Sequence, residues 1–192
     1  IYCLGELIHN RTFTESLRQR GVRFITPEEI PTLPKDALLF IRAHGIPKET
    51  EERLAQLRQS NPYFTYEDCT CPHVKKIHRI ADAQNKEADQ TVFLCVGSEH
   101  HPEVEGFMSC FSGERYVFAT ADAMQAALES ALGAKILSKT PVMVAQTTQN
   151  LTEWKKCQKL LQKYCTNALI FDTICNVTDL RQTEAEGLAR EC

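Results

Sequence analysis

The sequence predicts an α/β protein built from small, mainly parallel β-sheets covered by helices. Short apolar runs alternate along the chain with longer amphipathic segments, as strands alternate with the helices that connect parallel strands. Ala37–Ile41 and Thr91–Val96 are almost entirely apolar, which is typical of strands buried on both faces of a sheet. Hydrophobic residues make up 43% of the 192 residues and charged residues 24%, an ordinary composition for a globular protein.

Apolar runs of strand length occur throughout the chain, and each is followed by a turn or helix signal. The predicted strands are Ile1–Leu4, Val22–Ile25, Ala37–Ile41, Tyr63–Tyr66, Thr91–Val96, Tyr116–Ala119, Pro141–Ala145 and Ala168–Phe171.

Helix signals separate these runs. A capping box formed by Thr12 and Glu15 predicts the start of the first helix, which turns Phe13 and Leu17 inward and ends at Gly21. The remaining predictions are a loop over Pro27–Pro34, a helix from Pro47 to about Gln59 with Leu54 and Leu57 inward, a helix from Pro72, and helices over Glu103–Phe111, Ala121–Leu132 with a stop at Gly133, Asn150 to about Tyr164, and Glu184–Cys192.

Composition and charge exclude several classes of function. The net charge is −3, and there is no basic stripe with interleaved aromatic residues, so we expect no nucleic-acid partner. No apolar run approaches the ~20 residues needed to cross a bilayer, so we expect no membrane partner. Nine cysteines in a long, helix-rich chain favour reduced thiols and a cytoplasmic location over a secreted disulfide framework. The chain starts within a strand-like run and stops within a helix-like one, so we expect a fragment of a longer protein.

The stretch Glu67–His78 is the strongest candidate for a chemical centre. It places a cysteine-bearing turn between a strand and a helix that begins at Pro72. A thiol at the start of a helix faces backbone N–H groups, which favours the thiolate form that binds metals. Cys69, Cys71 and His73 alone could therefore hold a structural zinc ion in a non-catalytic binding module.

Polar clusters follow six of the predicted strands. Parallel strands present their carboxyl ends at one edge of a sheet, where ligands of α/β proteins bind. Each cluster alone has an ordinary structural explanation, such as a helix cap or a solvated side chain, but six together indicate one polar pocket suited to an anion beside a metal. The clusters are His9-Asn10, Arg42-Ala43-His44-Gly45, Asp68-Cys69-Thr70-Cys71, His100-His101-Pro102-Glu103, Gln146-Thr147-Thr148 and Asp172-Thr173-Ile174-Cys175.

These motifs, extended by the hexapeptide His101-Pro102-Glu103-Val104-Glu105-Gly106, resemble one known family in order and approximate spacing. The chain is similar to the LytB/IspH family, the 4-hydroxy-3-methylbut-2-enyl diphosphate reductases that complete the non-mevalonate isoprenoid route. The resemblance covers essentially the whole chain. It implies three α/β lobes with pseudo-threefold symmetry around an iron–sulfur cluster. We expect residues 1–71 to form an incomplete first lobe, residues 72–171 the second, and residues 172–192 the start of the third.

The resemblance also implies roles for individual residues. Cys71 and Cys175 match two of the three cysteines that hold a 4Fe–4S cluster in the family, and the third is expected before residue 1. Cys69 has no ligand role. The substrate-binding matches are His9, His44 and His101 around the diphosphate and Thr147 near the reacting end, and the match to the proton-delivering acid is Glu103.

The implied activity is the reductive dehydroxylation of 4-hydroxy-3-methylbut-2-enyl diphosphate to isopentenyl and dimethylallyl diphosphates. The implied partners are this small-molecule diphosphate and a ferredoxin- or flavodoxin-like electron donor. A Ser-x-Asn segment that grips the diphosphate in the family is expected beyond Cys192. The 192 residues alone are therefore expected to be inactive.

Overall fold

The computed structural model describes residues 1–191 and contains two four-stranded sheets. In the first sheet the spatial order is β2-β1-β3-β4, and every neighbouring pair is parallel. The second sheet repeats this arrangement as β6-β5-β7-β8, again with parallel pairs only. The predicted α/β class with small parallel sheets is confirmed. The strands are β1 (Tyr2–Leu4), β2 (Arg23–Ile25), β3 (Leu38–Ile41), β4 (Thr65–Asp68), β5 (Thr91–Val96), β6 (Glu114–Phe118), β7 (Thr140–Ala145) and β8 (Leu169–Ile170).

Helices connect the strands and cover the sheets. One cluster of buried apolar side chains lies on each face of the second sheet, and a third cluster packs around the first sheet. Among residues 1–191, no helix combines the length and apolar composition that crossing a membrane requires. The helices are α1 (Arg11–Gln19), α2 (Lys48–Ser60), α3 (Pro72–Ala83), α4 (Pro102–Met108), α5 (Ala121–Leu128), α6 (Ala131–Leu137), α7 (Leu151–Tyr164) and α8 (Asn176–Glu191), with short 3-10 helices at Pro27–Thr32 and Gln84–Glu87.

The order of the strands gives each sheet one switch point. In the first sheet the chain passes from β1 to β2 on one side and from β3 to β4 on the other side. In the second sheet it passes from β5 to β6 and from β7 to β8 in the same way. Such a switch point opens a crevice beyond the carboxyl ends of the two central strands. The turns that follow β1, β3, β5 and β7 carry His9, His44, His101 and Thr147, respectively.

The predicted start of α1 was wrong. Asn10, not Thr12, caps the helix, because its side-chain oxygen accepts a hydrogen bond of 3.0 Å from the Phe13 N–H. Phe13 is 39% exposed, whereas Thr14 is buried, so the helix turns a different face inward from the one predicted. Gly21 follows the helix with φ +86°, which agrees with the predicted stop.

The predicted helix over Ala121–Leu132 is two helices. Ser130 caps the second by accepting a hydrogen bond of 3.2 Å from the Leu132 N–H. Gly133 therefore lies inside α6 instead of ending a helix. A Cβ atom there would overlap the carbonyl group of Leu128, so only glycine lets the two helices pack this closely. The predicted loop at Pro27–Pro34 is also partly wrong, since most of it is the 3-10 helix whose capping box joins Thr26 and Glu29.

The lobe boundaries stay a prediction. The first sheet ends at Asp68 and the second begins at Thr91, while α8 occupies most of the segment predicted to begin a third lobe. Cys192, the last residue of that predicted segment, lies outside the described residues.

His78, in α3, lies between the turn after β3 and helix α4. Its ring lies against Gly45, after β3, and Gly106, in α4, where Cβ atoms would fall 3.0 and 3.3 Å from Nε2. The Nδ1 atom lies 3.4 Å from the Cys110 thiol, and Nε2 is buried without a partner among the described residues. Burial lowers the pKa of His78 to about 4, although the nearby Asp68 carboxylate acts in the opposite direction.

The depressed pKa of His78 predicts that the protein loses stability as the pH falls. The unfolded chain binds this proton near pH 6.5 and the folded chain near 4, so the stabilisation is complete above about pH 6.5 and is lost toward pH 4. We expect a loss of roughly 3 kcal/mol from this group. His78→Gln should be less stable than wild type at pH 7.5 but should show a shallower pH dependence of its thermal unfolding midpoint.

The exposed His100 supplies the control, because His100→Gln should keep the wild-type slope. If the thermal unfolding midpoint of His78→Gln depended on pH as steeply as that of wild type, the assignment of this pH dependence to His78 would be contradicted.

Candidate active site

The three histidines predicted to bind the diphosphate converge. The ring centroids of His9 and His44 are 4.1 Å apart, and His101 lies 5.5 and 5.6 Å from them. One ring nitrogen from each lies within 4.8 Å of the others. His9 and His44 follow the two central strands of the first sheet and His101 follows β5, so turns from both sheets form this cluster.

Two histidines of the cluster, His44 and His101, have lowered pKa values. Burial, followed by the charges of His9, His101 and Arg42, lowers the pKa of His44 to about 4. The pKa of His101 is also lowered, by burial first and then by His9 and Arg42. The fixed charge of Arg42 disfavours a metal cation at this point and favours an anion.

His101 also begins the helix that carries the candidate acid. Its Nδ1 atom accepts a hydrogen bond of 3.2 Å from the Glu103 N–H, and Pro102 occupies the first helical position. The ring orientation of His101 is therefore coupled to the start of α4.

Glu103 is a buried carboxyl group with two donors. It is 2% exposed, and its Oε1 and Oε2 atoms accept hydrogen bonds of 2.7 and 2.8 Å from the Thr147 backbone N–H and hydroxyl group. Both hydrogen bonds favour the carboxylate, but burial has the larger effect and raises the pKa of Glu103. The carboxyl group is thus suited to holding a proton nearer neutral pH than an exposed glutamate.

The backbone of Cys175 is connected to the same pair. Its N–H donates to the Thr147 carbonyl oxygen at 2.9 Å. Just before it, the buried Thr173 hydroxyl accepts from the Ala145 N–H at 2.8 Å and donates to the Ala145 carbonyl at 2.7 Å. These bonds continue the pairing of β7 with its neighbour after β8 has ended, and they place Cys175 beside Thr147.

Cys71 is positioned from the first sheet. It caps α3, and its N–H donates at 2.9 Å to the carbonyl oxygen of Ala43, the residue before His44. Both Cys71 and Cys175 are partly exposed free thiols, and each directly precedes a helix. Within the described part of the chain, Cys69, Cys71 and His73 do not gather into a metal-sized group, so the zinc alternative is not favoured.

Three residues with structural roles in the site were not singled out from the sequence. Thr173 anchors the Cys175 turn, as described above. Gln146 is buried, and its Oε1 accepts from the Ser98 N–H at 3.1 Å, which joins the turns after β7 and β5. Arg42 contributes its charge to the histidine cluster. The sequence signal for Arg42 was its position directly after an apolar strand. Gln146 and Thr173 had no signal beyond their places in the polar clusters.

Comparison with known proteins identifies the family of the chain. The sequence model described as LytB protein matches residues 1–192. The chain belongs to the LytB protein family. Two similar relatives, each called 4-hydroxy-3-methylbut-2-enyl diphosphate reductase, come from Wolinella succinogenes and Caldanaerobacter subterraneus. They are 35% and 33% identical, over 98% and 100% of the chain.

Two solved structures share the fold over the whole chain. One is the (E)-4-hydroxy-3-methyl-but-2-enyl diphosphate reductase described as the terminal enzyme of the non-mevalonate pathway, with a TM-score of 0.73 and 31% identity. The other is the reductase of Plasmodium falciparum, with a TM-score of 0.82 and 23% identity. The chain spans 63% and 56% of these two structures. It spans 62% and 61% of the two bacterial relatives and 27% of a relative from Clostridium tetani that is 30% identical.

The low pKa of His44 predicts that anion binding takes up protons. An anion beside the cluster favours the imidazolium forms, so the pKa values of His44 and His101 should rise when inorganic pyrophosphate binds, and binding should weaken as the pH rises. We expect the full-length protein to take up more protons than His44→Gln does at about pH 7. Titration calorimetry in buffers of different ionisation enthalpy measures this difference, and the titration of pyrophosphate itself cancels between the two proteins. Equal uptake would contradict the prediction.

Proposed function

We propose that the complete protein is an iron–sulfur oxidoreductase that reduces 4-hydroxy-3-methylbut-2-enyl diphosphate to isopentenyl and dimethylallyl diphosphates. The observation that carries this proposal is a continuous set of contacts across the site. It runs from His101 to the Glu103 N–H, from the Glu103 carboxyl group to Thr147, and from the Thr147 carbonyl to Cys175. This order of a histidine, a buried acid and a cysteine supports the proposal, because an allylic diphosphate with a leaving hydroxyl group needs an anion-binding group, a proton donor and an electron source in succession.

The histidine cluster is proposed to bind the diphosphate. His9, His44 and His101 offer ring nitrogens within 4.8 Å of one another, a spacing that lets one phosphate group contact all three. A diphosphate must exchange water for protein donors when it is buried, and protonated imidazoles supply both hydrogen bonds and positive charge. The lowered pKa values of His44 and His101 also reduce repulsion among the close imidazoles in the free protein.

Glu103 is proposed to deliver the proton to the departing oxygen. Burial raises its pKa, so the acid form is available closer to neutral pH than in water. The hydroxyl group of Thr147 lies 2.8 Å from Oε2 and can donate to a carboxylate or accept from a carboxylic acid. Thr147 therefore keeps Glu103 oriented in both protonation states and lies at the reacting end of the pocket.

Cys71 and Cys175 are proposed to hold a 4Fe–4S cluster together with a third cysteine outside residues 1–192. The two thiols fit a cluster because they are free, partly exposed and placed directly before helices, and thiolate sulfur is the usual ligand of such clusters. When bound, such a cluster supplies electrons and, through an open iron position, a Lewis acid. A ferredoxin- or flavodoxin-like protein is the proposed electron donor.

Glu103→Gln tests the role of the acid. The amide can keep both contacts with Thr147 but cannot supply an acidic proton, so turnover should fall by roughly 100-fold or more while the visible absorption of the cluster is unchanged. Glu99→Gln, in the exposed turn before α4, is the matched control and should turn over normally. Undiminished turnover by Glu103→Gln would remove Glu103 as the proton donor.

Metal analysis tests the cofactor. The full-length protein purified without air should contain about four iron atoms and about four labile sulfides per chain. Cys71→Ser and Cys175→Ser should each lower both contents, whereas Cys69→Ser should lower neither. A colourless protein with one zinc ion per chain would refute the cluster and favour the structural zinc site.

A further inference from the structure

Arg42 lies at the centre of the turns that carry two of the clustered histidines. It directly follows β3 and precedes His44 by two residues. Its Nε–H donates at 3.1 Å to the carbonyl oxygen of Gly45, so the side chain closes the turn around His44. The Gly45 N–H in turn donates at 3.1 Å to the Arg42 carbonyl oxygen.

The guanidinium group also reaches the turn after β1. A Cβ atom on Gly5 would lie 2.8 Å from Arg42 Nη1 and 3.1 Å from its Cδ, so a side chain there would displace the guanidinium group. Gly5 has φ +75°, a backbone conformation that favours glycine. The two turns are further joined by a hydrogen bond of 3.0 Å from the Ala43 N–H to the carbonyl oxygen of Leu7, two residues before His9.

The charge of Arg42 is not neutralised by the part of the chain that the structure describes. Arg42 is half-buried, and none of the ion pairs within residues 1–191 includes it. The exposed carboxylate of Glu105 acts on it only at longer range, and the Cys3 thiol nearby has a pKa raised to about 11, which keeps it neutral. A half-buried cation without a paired anion is costly, and an anionic ligand would offset that cost.

We propose that Arg42 is a positioning residue of the diphosphate pocket that sets both the spacing of the His9 and His44 turns and the positive charge beside them. Its Nε–H donates within the turn after β3, and its guanidinium group occupies the space that a side chain on Gly5 would need in the turn after β1. These turns are the two sides of the switch point in the first sheet. Its permanent charge adds attraction for the diphosphate whatever the protonation of the histidines. This inference rests on the proposed function, because it assigns the ligand of the histidine cluster to be a diphosphate.

The charge has a consequence that a purely structural contact would not have. The groups that face Arg42 are Glu105, Cys3, His44 and His101. The positive charge lowers the pKa of both histidines, so its removal should raise these values and let the free protein bind protons at higher pH. Loss of a purely structural contact would weaken anion binding without this rise in the pKa values.

The test uses the full-length, cluster-containing protein with inorganic pyrophosphate as the probe. Affinity is measured by calorimetry, and the pKa values of His44 and His101 in the ligand-free protein are measured by NMR titration, for wild type, Arg42→Gln and Arg42→Lys. Arg42→Gln should bind pyrophosphate roughly tenfold more weakly or worse, and the pKa values of its two histidines should be higher. Arg42→Lys keeps the charge but not the planar donor group, so the pKa values of its histidines should match wild type while its affinity falls several-fold. Arg20→Gln, exposed at the end of α1, controls for net charge.

Each outcome decides between the alternatives. Affinity of Arg42→Gln within twofold of wild type, or equal loss of affinity in both variants with unchanged pKa values of His44 and His101, would overturn the proposal. Arg42→Lys keeps the test decisive if Arg42→Gln does not fold. Turnover of the allylic diphosphate by wild type is measured in parallel. A protein that binds pyrophosphate in an Arg42-dependent way but does not turn over this substrate would contradict the proposed function and leave the role of Arg42 intact.

Discussion

The hydrogen bonds between Glu103 and Thr147 are the contact on which the site depends. They join the first turn of α4 to the turn after β7, and so connect the two turns at the switch point of the second sheet. A hydrogen bond to a charged group contributes about 1.5–3 kcal/mol, and leaving this buried carboxyl group without donors would cost several. The pair therefore holds the acid in one orientation even though burial raises its pKa.

Glu103 and Thr147 also connect the histidine cluster to the turn that carries Cys175. On one side, the Glu103 N–H binds His101 and thereby orients a ring of the histidine cluster. On the other side, the Thr147 carbonyl binds the Cys175 N–H, and Thr173 anchors that turn to the end of β7. An anion-binding group and a candidate cluster ligand are consequently held by one hydrogen-bonded network, which makes the geometry of each dependent on the other.

Electrostatics complements this geometry. Three close histidines and an arginine without an ion pair among residues 1–191 would repel one another if all were charged, and the depressed pKa of His44 relieves that repulsion in the free protein. An anion bound beside the rings would reverse the balance and draw protons to them. The histidines and Glu103 lie in short motifs of this sequence, but their mutual electrostatics depends on distances between the two sheets that no motif contains.

Local sequence determined the elements and the residue types of the site. Alternating apolar runs and helix signals located the strands of both sheets, since burial and helix capping depend on neighbouring residues. The motifs that follow those strands placed five site residues at the carboxyl-end edges of the sheets, namely His9, His44, His101, Glu103 and Thr147. The sequence did not determine which of two neighbouring residues caps α1, since Asn10 and not Thr12 accepts from the Phe13 N–H. It also did not determine which segments approach each other closely. The Leu128 carbonyl group lies against Gly133, and the Arg42 side chain lies against Gly5 from another turn. Only the tertiary structure decided these approaches, because each depends on how separate segments pack within a few ångströms.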